Sequence, residues 1–80
     1  MAFNEECYSL RDEMRAIAKK IADLRYGLTA REANEEFPAP ADVGEMIANL
    51  MLAYRHIEDA TMRMGKAVQA FDGGTSVYPH

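Results

Sequence analysis

The sequence has few of the features that mark secreted or membrane proteins. It contains one cysteine, Cys7, and no tryptophan. One cysteine excludes an internal disulfide, and no stretch approaches the roughly 18 apolar residues of a membrane-spanning helix. A charged-then-apolar leader pattern is also absent from the sequence. We therefore expect a cytoplasmic protein that has no membrane partner, with Cys7 buried on an apolar face.

A basic excess is also missing, because the net charge of the 80 residues is −4. Proteins that bind duplex DNA or RNA normally concentrate lysine and arginine, so extended nucleic acid is a poor candidate ligand. Eighty residues make one domain, and so short a chain buries little apolar surface by itself. Association with further chains is therefore expected.

Apolar residues in the first half recur at alternating steps of three and four, which predicts an amphipathic helix over about 4–27. Gly27 weakens its end, and Pro38 and Pro40 interrupt helical structure in a connection over about 28–41. A capping pattern beginning at Thr29 suggests a short separate turn there. The row consists of Cys7, Leu10, Met14, Ile17, Ile21, Leu24 and Leu28.

A second row with the same steps predicts a helix over about 42–72. Asp42 and Glu45 suit its N-terminal cap, and Gly73-Gly74 its end. At 1.5 Å per residue this helix spans roughly 45 Å, against about 35 Å for the first. A tail, 73–80, follows and is expected to be ordered. The row consists of Val43, Ile47, Leu50, Tyr54, Ile57, Thr61, Met64, Val68 and Phe71.

The fold class that follows is all-α: an antiparallel two-helix hairpin with a short connection. Beside the second row, small or flexible residues repeat every seven positions and form a second stripe. One partner helix cannot cover both the row and this stripe. We therefore expect several chains to assemble into a helical bundle. The repeated residues are Met46, Ala53, Ala60 and Ala67.

A row of cations follows the first helix at steps of four: Arg11, Arg15 and Lys19. Such spacing places them on one exposed face, with Tyr8 and Tyr26 near its two ends. Cations bind phosphates and aromatic rings stack on bases, so the row suits a small nucleotide ligand. Interleaved aspartates leave a second interpretation open, an ordinary solvated face.

In the second helix, Arg55, Asp59 and Arg63 form an alternating charge ladder near Gly65 and Lys66. A mid-helix glycine costs about 1 kcal/mol relative to alanine. It indicates either close helix packing or a ligand or further chain against the backbone. Arg63 and Lys66 could then hold an anionic ligand.

No arrangement typical of catalysis is visible. His56 and His80 lack a second ligand at metal-binding spacing, and neither Ser9 nor Ser76 has a placed histidine partner. The sequence predicts a protein that is not an enzyme and needs no cofactor.

The segment SLRDEMRAIAKKIADL, residues 9–24, resembles the opening helix of the helical chorismate mutases. That resemblance implies an enzyme in which Arg11 binds a substrate carboxylate. The further basic helices of that family are not matched, because residues 27–42 form a proline-containing connection.

The segment ANLMLAYRHIEDATMRMGKAVQAFDGG, residues 48–74, is similar to the closing helix of phage anti-CBASS cyclic-oligonucleotide sponges, whose hairpin domain is shared with anti-Thoeris sponges. The resemblance implies a non-enzymatic protein, commonly a hexamer, that sequesters cyclic di- or trinucleotide immune signals in pockets between chains. It also implies a stacking aromatic residue on the first helix and basic residues on the phosphates. By residue type, the ligand-binding candidates are Tyr8, Arg11, Arg15, Lys19, Lys20, Arg63 and Lys66. A structural or adaptor module that binds a protein helix remains the alternative.

Overall fold

The protein is a hairpin of two long antiparallel helices, as seen in a computed structural model that describes residues 2–33 and 37–73. Helix α1 runs from Phe3 to Ala33 and helix α2 from Val43 to Phe71, and no strand occurs among the described residues. The expected all-α hairpin is confirmed. Residues 74–80 of the predicted tail lie outside the described residues.

Helix α1 is longer than expected, because it continues past Gly27 to Ala33. Leu28 explains this, since its side chain is only 2% exposed against α2. Burying a leucine stabilises by about 1.5–3 kcal/mol, which exceeds the roughly 1 kcal/mol that a helical glycine costs. The separate turn expected at Thr29 therefore does not form. With 31 and 29 residues, the two helices have nearly equal lengths, so α2 does not extend far beyond α1.

Helix α2 begins and ends at local signals that the sequence contains. Asp42 is its N-cap, with a side-chain oxygen that accepts from the amide of Glu45 at 3.0 Å. At the other end Gly73 has a positive φ of 75° and donates its amide to the Ala70 carbonyl at 3.2 Å. Glycine adopts that backbone conformation without the steric penalty of a Cβ atom.

The two helices pack in a regular antiparallel register. Phe3 lies against Phe71, with ring centroids 5.1 Å apart, and Arg11 contacts Thr61 further along the hairpin. The apolar residues buried in the described part are few, and Cys7 is among them as expected. They are Cys7, Ala18, Leu28 and Val68.

The side of α1 that faces α2 differs from the predicted apolar row. Leu10, Ile17 and Leu24 belong to that row but are 45–46% exposed, whereas Arg11 and Ala18 are buried. Apolar residues occupy more of the circumference of α1 than one neighbouring helix covers. The small side chain of Ala18 favours a close helix approach on the side that α2 does cover.

The uncovered residues form an apolar face on one side of the hairpin. On α1 it consists of large apolar residues spaced by seven. Members of this row line one hollow together with Met64 of α2 and another together with Met46 of α2. The alanines that repeat every seven residues on α2 are only half-buried. The α1 row comprises Phe3, Leu10, Ile17 and Leu24.

Candidate functional site

A polar groove follows one side of the hairpin between the helices. It consists of two neighbouring hollows, of about 390 and 350 Å³, that share Glu58 and Thr61. The shared residues place the two hollows side by side along the hairpin. Helix α1 contributes Arg11, Arg15 and Lys19; helix α2 contributes Tyr54, Glu58, Thr61, Met62, Lys66 and Gln69.

Arg11 differs from the other cations of the groove because it is buried between the helices. Its side chain is part of the helix interface, only 8% exposed, and its Nε donates to the Thr61 carbonyl oxygen at 3.2 Å. The expectation that Arg11 lies on an exposed face with Arg15 and Lys19 was wrong. Arg11 is four residues after Cys7 and seven before Ala18, which places all three on the α2 side of α1.

Arg15 and Lys19 lie in the larger hollow with exposed side chains. Arg15 is 3.7 Å from Asp12 on the same helix, and both side chains of this pair are solvent-exposed. Exposed pairs of this kind contribute about 0–1 kcal/mol, so the interaction competes weakly with a better anionic partner. These two cations are therefore accessible to a ligand.

Lys66 lies in the second hollow with Arg11, as does the exposed side chain of Met62. Gly65 is buried in the helix pair. Of the two interpretations of this glycine, close packing within the hairpin is the one its burial supports. The Thr61 side chain is oriented by its hydroxyl group, which donates a hydrogen bond to the Ile57 carbonyl oxygen at 2.8 Å.

The other candidate residues lie outside the two hollows. Lys20 is two residues past buried Ala18, about 200° around the helix, and is exposed. Arg63 is exposed and 3.9 Å from Asp59, one turn earlier on the same helix. Tyr8 faces the same side of α1 as Arg15 but precedes it by seven residues, about 10 Å along the axis.

The groove contains polar residues that were not selected from the sequence. Tyr54 and Thr61 were assigned to the apolar row of α2, and Glu58 was given no role. The available signal was that Tyr54 and Thr61 are the only residues with hydroxyl groups in that row. Because they line a hollow together with Glu58, they form its α2 wall.

The described residues contain no cluster of histidine, cysteine, aspartate and glutamate that could hold a metal ion. Neither described helix contains an apolar stretch long enough to cross a membrane. The chain matches no protein-family model, and no curated protein or solved structure gives a significant match.

Proposed function

We propose that this protein is a non-enzymatic binding protein that sequesters a cyclic di- or trinucleotide, in the manner of the phage anti-defence sponges it resembles. The observation that supports the proposal is the polar groove, which concentrates cations on a chain of net negative charge. Its ligand is small and anionic, and it is released unchanged when the protein unfolds.

The charges of the groove favour an anion. Arg11, Arg15, Lys19 and Lys66 line it, against the single carboxylate of Glu58. No other acidic residue of the described part lines the two hollows, although Asp12 lies 3.7 Å from Arg15 at the edge. Charge-assisted hydrogen bonds from arginine and lysine to phosphate are among the strongest polar contacts available to a protein.

The shape of the groove favours a small ligand over an extended nucleic acid. Each hollow has a volume of 350–390 Å³, at the lower end of the range for small-molecule sites, about 300–1,000 Å³. Tyr54 supplies an aromatic ring in the same hollow as Arg15 and Lys19. Phosphates and bases of one compact ligand could therefore contact neighbouring side chains.

Assembly of several chains is the second part of the proposal, and the apolar face supports it. Large side chains on α1 and alanines on α2 both repeat every seven residues, about 10 Å along a helix. A second copy of the chain can therefore place the large side chains of one hairpin against the alanines of the other. We propose a homo-oligomer, a hexamer as in the similar sponges. The resemblance implies pockets between chains, whereas the polar groove is formed by the two helices of one hairpin.

The apolar face also favours a second candidate function, a structural or adaptor module that binds an amphipathic helix of another protein. Contiguous apolar residues on a protein surface often mark an interaction site. The two functions differ in what stabilises the protein: a nucleotide in one case, a protein helix in the other. A chorismate-mutase-like activity is a third candidate and is tested by chorismate turnover.

A thermal-melt screen tests the proposed function. Purified protein is heated with cyclic dinucleotides, cyclic trinucleotides, cyclic ADP-ribose isomers and linear nucleotides. A ligand at about 100 times its Kd stabilises the fold by about 2.7 kcal/mol, which raises the Tm of so small a domain by several degrees. We expect a shift with one cyclic class, with that ligand recovered chemically intact after denaturation.

Charge-removing variants inside and outside the groove test whether the ligand binds there. The double variant Arg15→Gln with Lys19→Gln should lose the ligand-induced shift, whereas Lys20→Gln should keep it, because Lys20 lies on the other side of α1. Absence of a shift with every nucleotide, or conversion of the ligand, would contradict the sponge function. Stabilisation by a protein helix alone would favour the adaptor module.

A further inference from the structure

A second, more apolar pocket continues the polar groove toward the helix connection. It has a volume of about 240 Å³. We call it the tyrosine pocket, and its defining residues are Ile21, Arg25, Tyr26, Leu50, Met51 and Tyr54. Of its residues, Tyr26 was singled out from the sequence as an aromatic residue at one end of the cation row; none of the others was a candidate for ligand binding.

The tyrosine pocket and the polar groove share part of their walls. Ala22 and Tyr54 line both the tyrosine pocket and the hollow that contains Arg15 and Lys19. Tyr26 follows Lys19 by seven residues, about 10 Å along the same side of α1. A ligand bound at the two cations can therefore extend into the tyrosine pocket without leaving the protein surface.

The side chains of the tyrosine pocket suit a flat aromatic ring. Tyr26 is 74% exposed, so most of its ring is accessible. The Arg25 guanidinium lies 5.4 Å from the centroid of that ring, and the flexible side chain of Met51 is also exposed. Aromatic rings and arginine planes stack with bases, and methionine adapts to the shape of an apolar ligand.

The volume limits what the pocket can contain. At about 240 Å³ it is smaller than the roughly 300 Å³ at which sites for drug-sized molecules begin. It is therefore better suited to one ring system than to a whole nucleotide ligand. Tyr8 cannot serve the same ring, because eighteen residues, about 27 Å, separate it from Tyr26 along α1.

We propose that the tyrosine pocket is a base-binding subsite, which takes one nucleobase of a nucleotide whose phosphate lies at Arg15 and Lys19. This inference rests on the proposed function and adds to it the residues that recognise a ring. Tyr26 and Arg25 provide the stacking surface, Met51 an adaptable contact, and Tyr54 the wall shared with the phosphate hollow.

The methionine methyl groups provide a direct test by NMR. In protein labelled with ¹³C at the methionine methyls, Met51 reports on the tyrosine pocket, whereas Met46 and Met64 report on the apolar face. We expect adenosine, a nucleoside without phosphate, to shift the Met51 signal by the ring current of its base and to leave the Met46 and Met64 signals unchanged. Shifts at Met46 or Met64 with none at Met51 would overturn the subsite.

Affinity measurements with variants form the second arm of the test. Probes are cyclic di-AMP, cyclic GMP-AMP and cyclic tri-AMP. For a probe that binds, Tyr26→Ala should weaken binding about 5- to 150-fold, the loss expected for one stacked base, and Tyr26→Phe should retain it. The control is Leu52→Ala, since Leu52 is an exposed apolar residue of α2 outside the groove, the tyrosine pocket and the apolar face.

The two proposals fail in different ways. Tight binding of a cyclic probe that Tyr26→Ala does not weaken would overturn the base subsite and leave the sponge function standing. No binding of any cyclic probe, together with an adenosine shift at Met51, would overturn the sponge function and support a ring-binding pocket for another ligand. Neither binding nor a Met51 shift would overturn both.

Discussion

Arg11 is the residue whose role changes most between sequence and structure. Its spacing from Arg15 suggested an exposed cation, yet its Nε donates a hydrogen bond to the Thr61 carbonyl oxygen across the helix interface. A buried charged group is tolerated only when it is hydrogen-bonded, and its removal leaves partners unsatisfied. Arg11 therefore holds the two walls of the polar groove together, besides bringing positive charge to it.

We predict that Arg11→Ala lowers the free energy of unfolding by about 1.5–3 kcal/mol, the range for a hydrogen bond from a charged group. Arg15→Ala should change it by less than about 1 kcal/mol, because the pair of Arg15 with Asp12 is exposed. Urea denaturation followed by circular dichroism measures both values. Arg11→Lys, which keeps the charge without the guanidinium fork, should lie between them.

Equal stability of Arg11→Ala and Arg15→Ala would show that the contact to Thr61 contributes nothing to the fold. The groove would then have to be held by the apolar contacts of α1 and α2 alone.

At the scale of the elements, α1 shows how packing overrides a local signal. Gly27 predicted an early helix end, and the buried side chain of Leu28 extends the helix instead. At α2 no such conflict exists, because Asp42 and Gly73 are supported by local hydrogen bonds that do not depend on the other helix. Helix ends set by capping residues were therefore predictable, and an end decided by tertiary burial was not.

Glycine-to-alanine substitutions test this account of the two helices. Gly27→Ala should stabilise the protein by about 0.5–1 kcal/mol, because a Cβ atom there meets nothing within 4 Å and alanine is the better helix former. Gly73→Ala should destabilise it by about 1–2 kcal/mol, since its φ of 75° is costly for any residue with a side chain.

Thermal or urea unfolding of the two variants checks the prediction, with opposite signs expected. A loss of stability in Gly27→Ala would mean that another chain packs closely on that backbone, and would place an interface between chains at the end of α1.

At the scale of the whole molecule, the hairpin has two unlike sides. One side is the polar groove with the tyrosine pocket, and the other is the apolar face. Few apolar side chains are buried between the helices, so a single hairpin gains little from burial. Covering the apolar face with further copies would supply the missing burial and leave the groove accessible to a ligand.

We predict that Ile17→Glu prevents assembly, because Ile17 lies in the middle of the α1 row and is 46% exposed. A carboxylate buried there in an oligomer would have to lose its hydration without a partner. Light scattering coupled to size-exclusion chromatography should give a multiple of the 9.0 kDa chain for the wild type and a smaller mass for Ile17→Glu. Leu52→Glu is the matched control and should keep the wild-type mass.

A wild-type protein that remains a 9.0 kDa monomer at high concentration would contradict the proposed assembly. An unchanged oligomer in Ile17→Glu would move the interface away from the apolar face. In either case the binding function of the groove is tested separately by the nucleotide screen.

The sequence by itself determined that the chain forms two helices and where α2 starts and ends. Those features depend on hydrogen bonds, caps and apolar periodicity within about ten residues. Only the tertiary structure decided which side of α1 meets α2. Apolar residues cover more of α1 than one helix can bury, so periodicity alone could not choose between Leu10 and Arg11 for the interface. That choice buries Arg11, exposes the row from Phe3 to Leu24, and brings Tyr54 beside Lys19 and Tyr26.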